Sequence, residues 1–393
     1  MAGQYDLYAP RDIFDEDHIE FRNLTRDFLD KHVEGHVLEW EQNKWVPEEV
    51  IREAGEQGIF SVLVDENYGG AGLTDFRFRQ IAQEEFSRYG ADSLAGIISV
   101  HADIIIPYYE HLGTEEQKQK WVPGLATGEL ISAVAMTEPG AGSDLRGMKT
   151  TAVRDGDDWV LNGSKTFISN GMRCDLVIVA ARTPDENHPQ GGGITLFVVE
   201  DGMEGFSRGR KLEKIGSHAA DTAELSFENV RVPDANRLGE VHKGLHSLMS
   251  HLPLERLSIA IGACAGARAA LNWTIEYVTQ RKAFGQPIAA FQNTQFEIAE
   301  MITKLEVSQA YVDAAVLKYN AGELTAVDAA KAKWWATDIQ KDIVDRCLQL
   351  FGGYGYMMEY PIGRSYINSR VQTIYGGTNE IMKLIIGREV FGG

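Results

Sequence analysis

The stretch WVLNGSKTFIS, residues 159–169, is dense in β-branched and aromatic side chains and runs into the turn dipeptide Asn170-Gly171. It reads as a strand, with Asn162-Gly163 as a further turn signal. Working outward, Leu176–Ala181 and Ile194–Val199 have the same texture, and Pro184–Gly193 between them has loop composition. Ala223, Leu225 and Phe227 alternate with polar residues, as a strand with one buried face does. Residues 131–245 therefore read as an all-β module. On either side the period changes. Ile19, Leu24, Phe28 and Leu29 mark one helix face, Pro47 and Thr114 open further helices, and residues 1–130 read as helical. After the β module, Leu254–Val278, Phe291–Tyr319, Val327–Leu350 and Ile381–Val390 are long helical runs, so 246–393 reads as a helical bundle. The order helix, β, helix predicts an α+β multi-domain fold.

The composition narrows the function classes. The chain has 393 residues, of which 44% are hydrophobic and 24% charged, as in ordinary globular proteins. Its 38 basic and 57 acidic residues leave a net charge of −19, which repels phosphate backbones and anionic lipid. Nucleic-acid binding is not expected. The longest uncharged stretch, Ala283–Phe296, is interrupted by Pro287, Gln292 and Asn293, so no membrane span is expected. The opening MAGQYDLYAPRDIFDEDHIEF is acidic and resembles neither a secretory nor a transit leader. Cys174, Cys264 and Cys347 are odd in number and far apart, which argues against a disulfide framework and makes a reducing cytoplasm the default location.

Several segments have the chemistry of a ligand site. Thr137-Glu138-Pro139-Gly140-Ala141-Gly142-Ser143-Asp144 combines hydroxyls with glycines that let a ligand approach the backbone; the plain alternative is a turn after a strand. It lacks the GxGxxG spacing of a Rossmann site. In Phe167-Ile168-Ser169 an aromatic and a hydroxyl suit a flat heterocycle, although strand aromatics are more often core. Arg281-Lys282-Ala283-Phe284-Gly285 suits a phosphate-bearing partner or simply ends a helix. The Gly-rich junctions 350–356 and 375–380 are either caps or points of backbone approach. His242, His246 and His251 have metal-like spacing without a carboxylate or cysteine to complete a site. Glu255, flanked by leucines at an expected helix start, is either an exposed first-turn residue or, if it points inward, a desolvated general base.

Together these motifs resemble the acyl-CoA dehydrogenase family: TEPGAGSD (137–144), SKTFISNG (164–171), RKAFGQPI (281–288), QLFGGYGY (349–356) and YGGTNEI (375–381) occur in the family's order along nearly the whole chain. The resemblance implies a helical domain, a β-barrel domain and a four-helix bundle. It also implies FAD and oxidation of an acyl-CoA thioester to the trans-2-enoyl-CoA, with the β-hydrogen leaving as hydride. By the same resemblance, Met136, Thr137, Phe167 and Ser169 would line the flavin, and Ser143 would lie at its boundary with substrate. Arg281, Phe284, Gln292, Gln349, Gly352 and Gly353 would hold the pyrophosphate and adenine end from a neighbouring subunit. Thr378 and Glu380 would close over the cofactor, and Leu252, Arg256, Tyr375, Gly376 and Gly377 would border the substrate. A homotetramer and electron-transferring flavoprotein as acceptor are implied as well.

One departure is decisive. Most members carry the catalytic glutamate just before the Gly-Thr of the late motif, and here that position is Gly376. Two branches, the long-chain and isovaleryl-CoA enzymes, place the base at an earlier ERL sequence, and this chain has Glu255-Arg256-Leu257. The resemblance therefore makes Glu255 the base and leaves the Gly376 amide as oxyanion donor. Met358–Ile362 and Tyr375–Lys383 resemble the long-chain branch more than the isovaleryl branch. An isovaleryl-type enzyme, an acyl-CoA oxidase and a non-catalytic scaffold are the alternatives.

Overall fold

The computed structural model describes residues 5–185 and 192–392. Most of the expected Pro184–Gly193 loop and the first four residues of the chain lie outside the described residues. The N-terminal helices are α1 (Glu16–His32), α2 (Val37–Asn43), α3 (Glu48–Glu56), α4 (Arg77–Arg88), α5 (Asp92–Ser99), α6 (Ile106–Leu112) and α7 (Glu115–Thr127). A π-helical stretch, Val100–Ile105, joins α5 to α6. Thr114 caps α7 through a reciprocal pair with Gln117, satisfying amides that the first turn leaves unpaired.

Eight strands follow: β1 (Ser132–Ala135), β2 (Thr151–Asp155), β3 (Asp158–Ser169), β4 (Leu176–Arg182), β5 (Ile194–Glu200), β6 (Phe206–Lys211), β7 (Thr222–Pro233) and β8 (Arg237–Leu238). They form one sheet in the order β6-β7-β3-β2-β4-β5-β8, with β1 parallel to β4. Successive side chains of a strand point to opposite faces. In β4, Leu176, Ile178 and Ala180 pack with Tyr108, Tyr109 and Trp121 of the helices, while Val177, Val179 and Ala181 pack with Trp159, Phe197 and Leu225 inside the sheet domain. Both faces are covered, so β4 is a continuous apolar run. Asn162-Gly163 does not make a turn. The strand β3 continues through it with a register shift between Leu161 and Gly163, and a side chain on Gly163 would meet Thr150 Oγ1 at 2.4 Å.

The chain ends in α8 (Gly244–Gln280), α9 (Gln292–Asn320), α10 (Ala326–Phe351), α11 (Pro361–Ser369) and α12 (Asn379–Phe391). Leu257, Ile261 and Cys264 of α8 share a core with Met301 and Leu305 of α9 and Ile343 and Cys347 of α10. The helix α8 spans 37 residues and begins eleven positions before Glu255, so that residue lies inside the helix rather than at its start. Pro253 does not end the helix. Its missing N–H frees the carbonyl of Met249, a residue 46% exposed, where water can take the bond. Among the described residues no helix is long and apolar enough to cross a membrane.

Candidate active site

The π-helical stretch and α8 are locked together by one carboxylate. Buried Asp103 accepts hydrogen bonds from Arg79, from Gln83 at 2.7 Å and from Ser258 at 2.8 Å. Ser258 sits about one turn beyond Glu255 on α8. This hub sets the position of α6 against α8, and Tyr108 of α6 thereby donates to Glu255 Oε1 at 2.9 Å. The Tyr108 ring is itself fixed by stacking on His251, centroid to centroid 4.2 Å. His251 is thus a packing partner, hydrogen-bonded to the Ser247 carbonyl and to His111. Among the described residues no group of His, Cys, Asp and Glu is placed to hold a metal ion.

Glu255 is 5% exposed. Burial lifts its pKa from 4.5 to about 7, against the opposing pull of the Tyr108 hydroxyl and the Arg256 guanidinium. A carboxylate poised near neutrality is what general-base chemistry needs. Four residues on, and so on the same helix face, Ile259 reaches toward the loop between α11 and α12. A Cβ on Gly376 would lie 2.4 Å from Ile259 Cδ1. The space a side chain at 376 would use is filled from α8. Arg256 Nε donates to the Gly376 carbonyl at 3.2 Å, so Arg256 braces the loop. Gly376 and Gly377 have φ of +63° and +91°, values that glycine adopts without strain. Tyr375 and Leu252 flank this region, the first exposed and the second half-buried.

A second group lies on the sheet domain. The Thr166 amide donates to the Thr137 carbonyl at 3.0 Å, tying the 137–144 loop to β3. Buried Lys165 donates to the Met136 carbonyl at 3.1 Å and to Glu138 at 2.9 Å. Burial pushes the Glu138 pKa up, but hydrogen bonds from Thr150, Lys165 and the Lys149 amide outweigh it and hold the carboxyl at about 2. Gly140 and Gly142 have no atom within 4 Å of a Cβ position, and Ser143 is exposed beside them. The β3–β7 pairing shifts register between Lys165 and Ile168, and at this irregularity Phe167 has a φ of +60° and stands 68% exposed. An aromatic in strained backbone and open to solvent is not a core residue. With half-buried Met136, Thr137 and Ser169 beside it, this surface fits a flavin ring: a flat face, hydroxyls and backbone free for approach.

The third group is at the far end of α8. Arg281 lies over Tyr354 at 5.6 Å, Phe284 is 97% exposed, and Gln292, Gln349, Gly352 and Gly353 are exposed at helix ends on the same side. Arg281 caps the helix that carries Glu255, 26 residues on, which is about 39 Å of α-helix. Thr378 caps α12 by accepting from the Ile381 amide, and Glu380 is exposed in its first turn. Tyr108, Asp103 and Ile259 were not indicated by any sequence motif; all three act through contacts between segments distant in the chain.

Sequence comparison bears directly on this arrangement. The models of the acyl-CoA dehydrogenase N-terminal, middle and C-terminal domains match residues 15–129, 133–230 and 242–391. The chain belongs to the acyl-CoA dehydrogenase family. It is 46% identical to the long-chain specific acyl-CoA dehydrogenase of Sus scrofa mitochondria over 380 residues, covering 97% of this chain and 88% of that one. It is 36% identical to the isovaleryl-CoA dehydrogenase of Solanum tuberosum mitochondria over 390 residues, covering 99% and 94%. The crystal structure of an acyl-CoA dehydrogenase from Geobacillus kaustophilus superposes with a TM-score of 0.93 at 45% identity, covering 97% of this chain and all of that one. Members of the family are flavin-dependent oxidoreductases acting on a CH–CH bond, and fatty acyl-CoA dehydrogenation is the activity these likenesses support.

Proposed function

We propose that this chain is an FAD-dependent acyl-CoA dehydrogenase of the long-chain branch, with Glu255 as the base. The observation that carries the reading is the pairing of a buried, near-neutral carboxylate at Glu255 with the filling of the Gly376 side-chain space by Ile259, one turn along the same helix face. The higher identity to the long-chain relative than to the isovaleryl one supports the branch.

The α-proton of a thioester is a weak acid, so the site must stabilise charge on the carbonyl while the proton leaves. Glu255 takes that proton on its carboxylate. The Gly376 amide keeps its N–H without a side chain and donates to the carbonyl oxygen. Met136, Thr137, Phe167 and Ser169 would hold the flavin ring, whose chemistry when bound would be to accept a hydride from the β-carbon. The buried setting excludes water that would stabilise charged Glu255 and weaken it as a base. Arg281, Phe284, Gln292, Gln349, Gly352 and Gly353 would serve the cofactor of a second copy, since about 39 Å of helix separates Arg281 from Glu255; that sharing requires at least a dimer, and the family resemblance makes the assembly a homotetramer. Electron-transferring flavoprotein is the acceptor we assign.

The test is anaerobic mixing of FAD-loaded protein with acyl-CoA esters from butyryl to stearoyl, and with isovaleryl-CoA, while flavin absorbance is followed. Fastest bleaching with long straight chains supports the reading. Bleaching with isovaleryl-CoA alone reassigns the branch, and no bleaching with any ester overturns the proposal.

A further inference from the structure

Lys333 lies in α10 with its side chain wholly buried. Its ammonium donates to two neutral oxygens, the Gly377 carbonyl at 2.8 Å and Asn379 Oδ1 at 3.0 Å. Burying an ammonium against neutral acceptors costs stability that an apolar side chain of the same size would not. The charged groups facing it are Arg256 from α8, Asp338 on its own helix and Glu380 on α12; burial, and then Arg256, lower its pKa to about 8. Packing between α10 and α12 gives no reason for a lysine here. The reason lies at the tip of the side chain.

That tip holds a turn with little else to brace it. Gly376 and Gly377 carry no side chains, and glycine loses the most backbone freedom on being ordered. Their carbonyls are taken in succession by two cations, Gly376 by Arg256 at 3.2 Å and Gly377 by Lys333. Asn379 extends the brace, because its Nδ2 donates to Thr337 and Asp338 at 3.1 Å each. The Gly376 N–H lies in the preceding peptide plane, joined to the held Gly376 carbonyl only through the φ and ψ of Gly376, so fixing both carbonyls narrows the range through which that N–H can swing.

We propose that Lys333 is a positioning residue for the reaction: together with Arg256 it clamps the Gly376-Gly377 turn so that the Gly376 amide meets the thioester carbonyl as the α-proton leaves. This rests on the assignment of Glu255 as base and of the Gly376 amide as oxyanion donor. A misplacement of about 1 Å at such a donor costs about 10²-fold in rate.

The test uses the FAD-loaded enzyme and Lys333→Met, with a long-chain acyl-CoA and its 3-thia analogue. Sulfur in place of the β-carbon allows loss of the α-proton and leaves no β-hydrogen to transfer. We expect Lys333→Met to keep FAD and to bind the analogue within about 3-fold of wild type, while flavin bleaching by the true substrate slows about 10²-fold. The pH at which the bound analogue ionises, read from its long-wavelength absorbance, should rise by about one to two units. A residue that only fills space would not move that ionisation. Lys333→Gln, which keeps an N–H donor, should recover part of both effects. Ionisation and bleaching at wild-type values in Lys333→Met would overturn the clamp, as would loss of FAD by both variants, which makes Lys333 structural. Wild-type protein that bleaches with no ester would instead overturn the functional assignment on which the clamp depends.

Discussion

Replacing Glu255 by glutamine should remove activity and stabilise the protein, with both effects set by pH. The rise of the carboxyl pKa from 4.5 to about 7 means that the folded state prefers the neutral acid by about 3 kcal/mol relative to the unfolded chain. The sign follows from the direction. Below pH 4.5 the acid is neutral in both states and costs nothing. As pH rises toward 7 the unfolded chain ionises while the folded one does not, so folding loses about 3 kcal/mol, and above pH 7 the full penalty remains. Glutamine is neutral throughout and still offers Tyr108 an acceptor. The variant should therefore match wild type near pH 4.5 and exceed it by about 3 kcal/mol at pH 8. For 393 residues unfolding as one unit, that corresponds to about 4 °C in Tm. Scanning calorimetry of both FAD-loaded proteins across this range provides the check, alongside kcat/KM of the wild type, which should climb with pH through about 7 as the base ionises. A Tm difference independent of pH, or a flat kcat/KM between pH 6 and 8, would refute the reasoning.

Tyr108→Phe removes a hydrogen bond that favours charged Glu255, so the midpoint of the kcat/KM profile should move up by about one pH unit, with a small change in the rate above it. Gly376→Glu in a Glu255→Gln background should stay nearly inactive, because its Cβ would meet Ile259 at 2.4 Å and its φ of +63° strains any side chain; adding Ile259→Ala should restore measurable flavin bleaching, and bleaching by the double variant alone would contradict the steric account. Glu138→Gln loosens the bond that Lys165 and the Lys149 and Thr150 amides make to the 137–144 loop, and should lower the ratio of flavin to protein absorbance after gel filtration. Phe167→Ala should do the same without changing the apoprotein's Tm by more than about 1 °C, since a ring 68% exposed contributes little to the core.

The order helix, sheet, helix could be read because each change of hydrophobic period survives in the sequence: alternation in β7, continuous burial in β4 and long helical runs after Gly244. The five motifs carried the family resemblance, the separate Glu255-Arg256-Leu257 sequence carried the proposed base, and Gly376 was visible as a missing carboxylate. Two local signals misled for physical reasons. Pro253 resembles a helix boundary and is accommodated in mid-helix beside an exposed turn, while Asn162-Gly163 resembles a hairpin and is a bulge in β3. What could not be read were the contacts that tune the site. Tyr108 meets Glu255 across 147 residues, and Lys333 meets Gly377 across 44. Such meetings depend on how α6, α8, α10 and the α11–α12 loop pack, a matter of crossing geometry that one sequence does not encode locally.

The contact between Ile259 and Gly376 also bears on how such a site can change over time. A carboxylate moved back to position 376 must push the Ile259 δ-methyl aside and accept a φ of +63°, so it enters at a cost before it does any chemistry. A smaller residue at 259 removes the first obstacle and leaves the second. The return of the base to 376 is thus resisted by the backbone as well as by the neighbouring side chain.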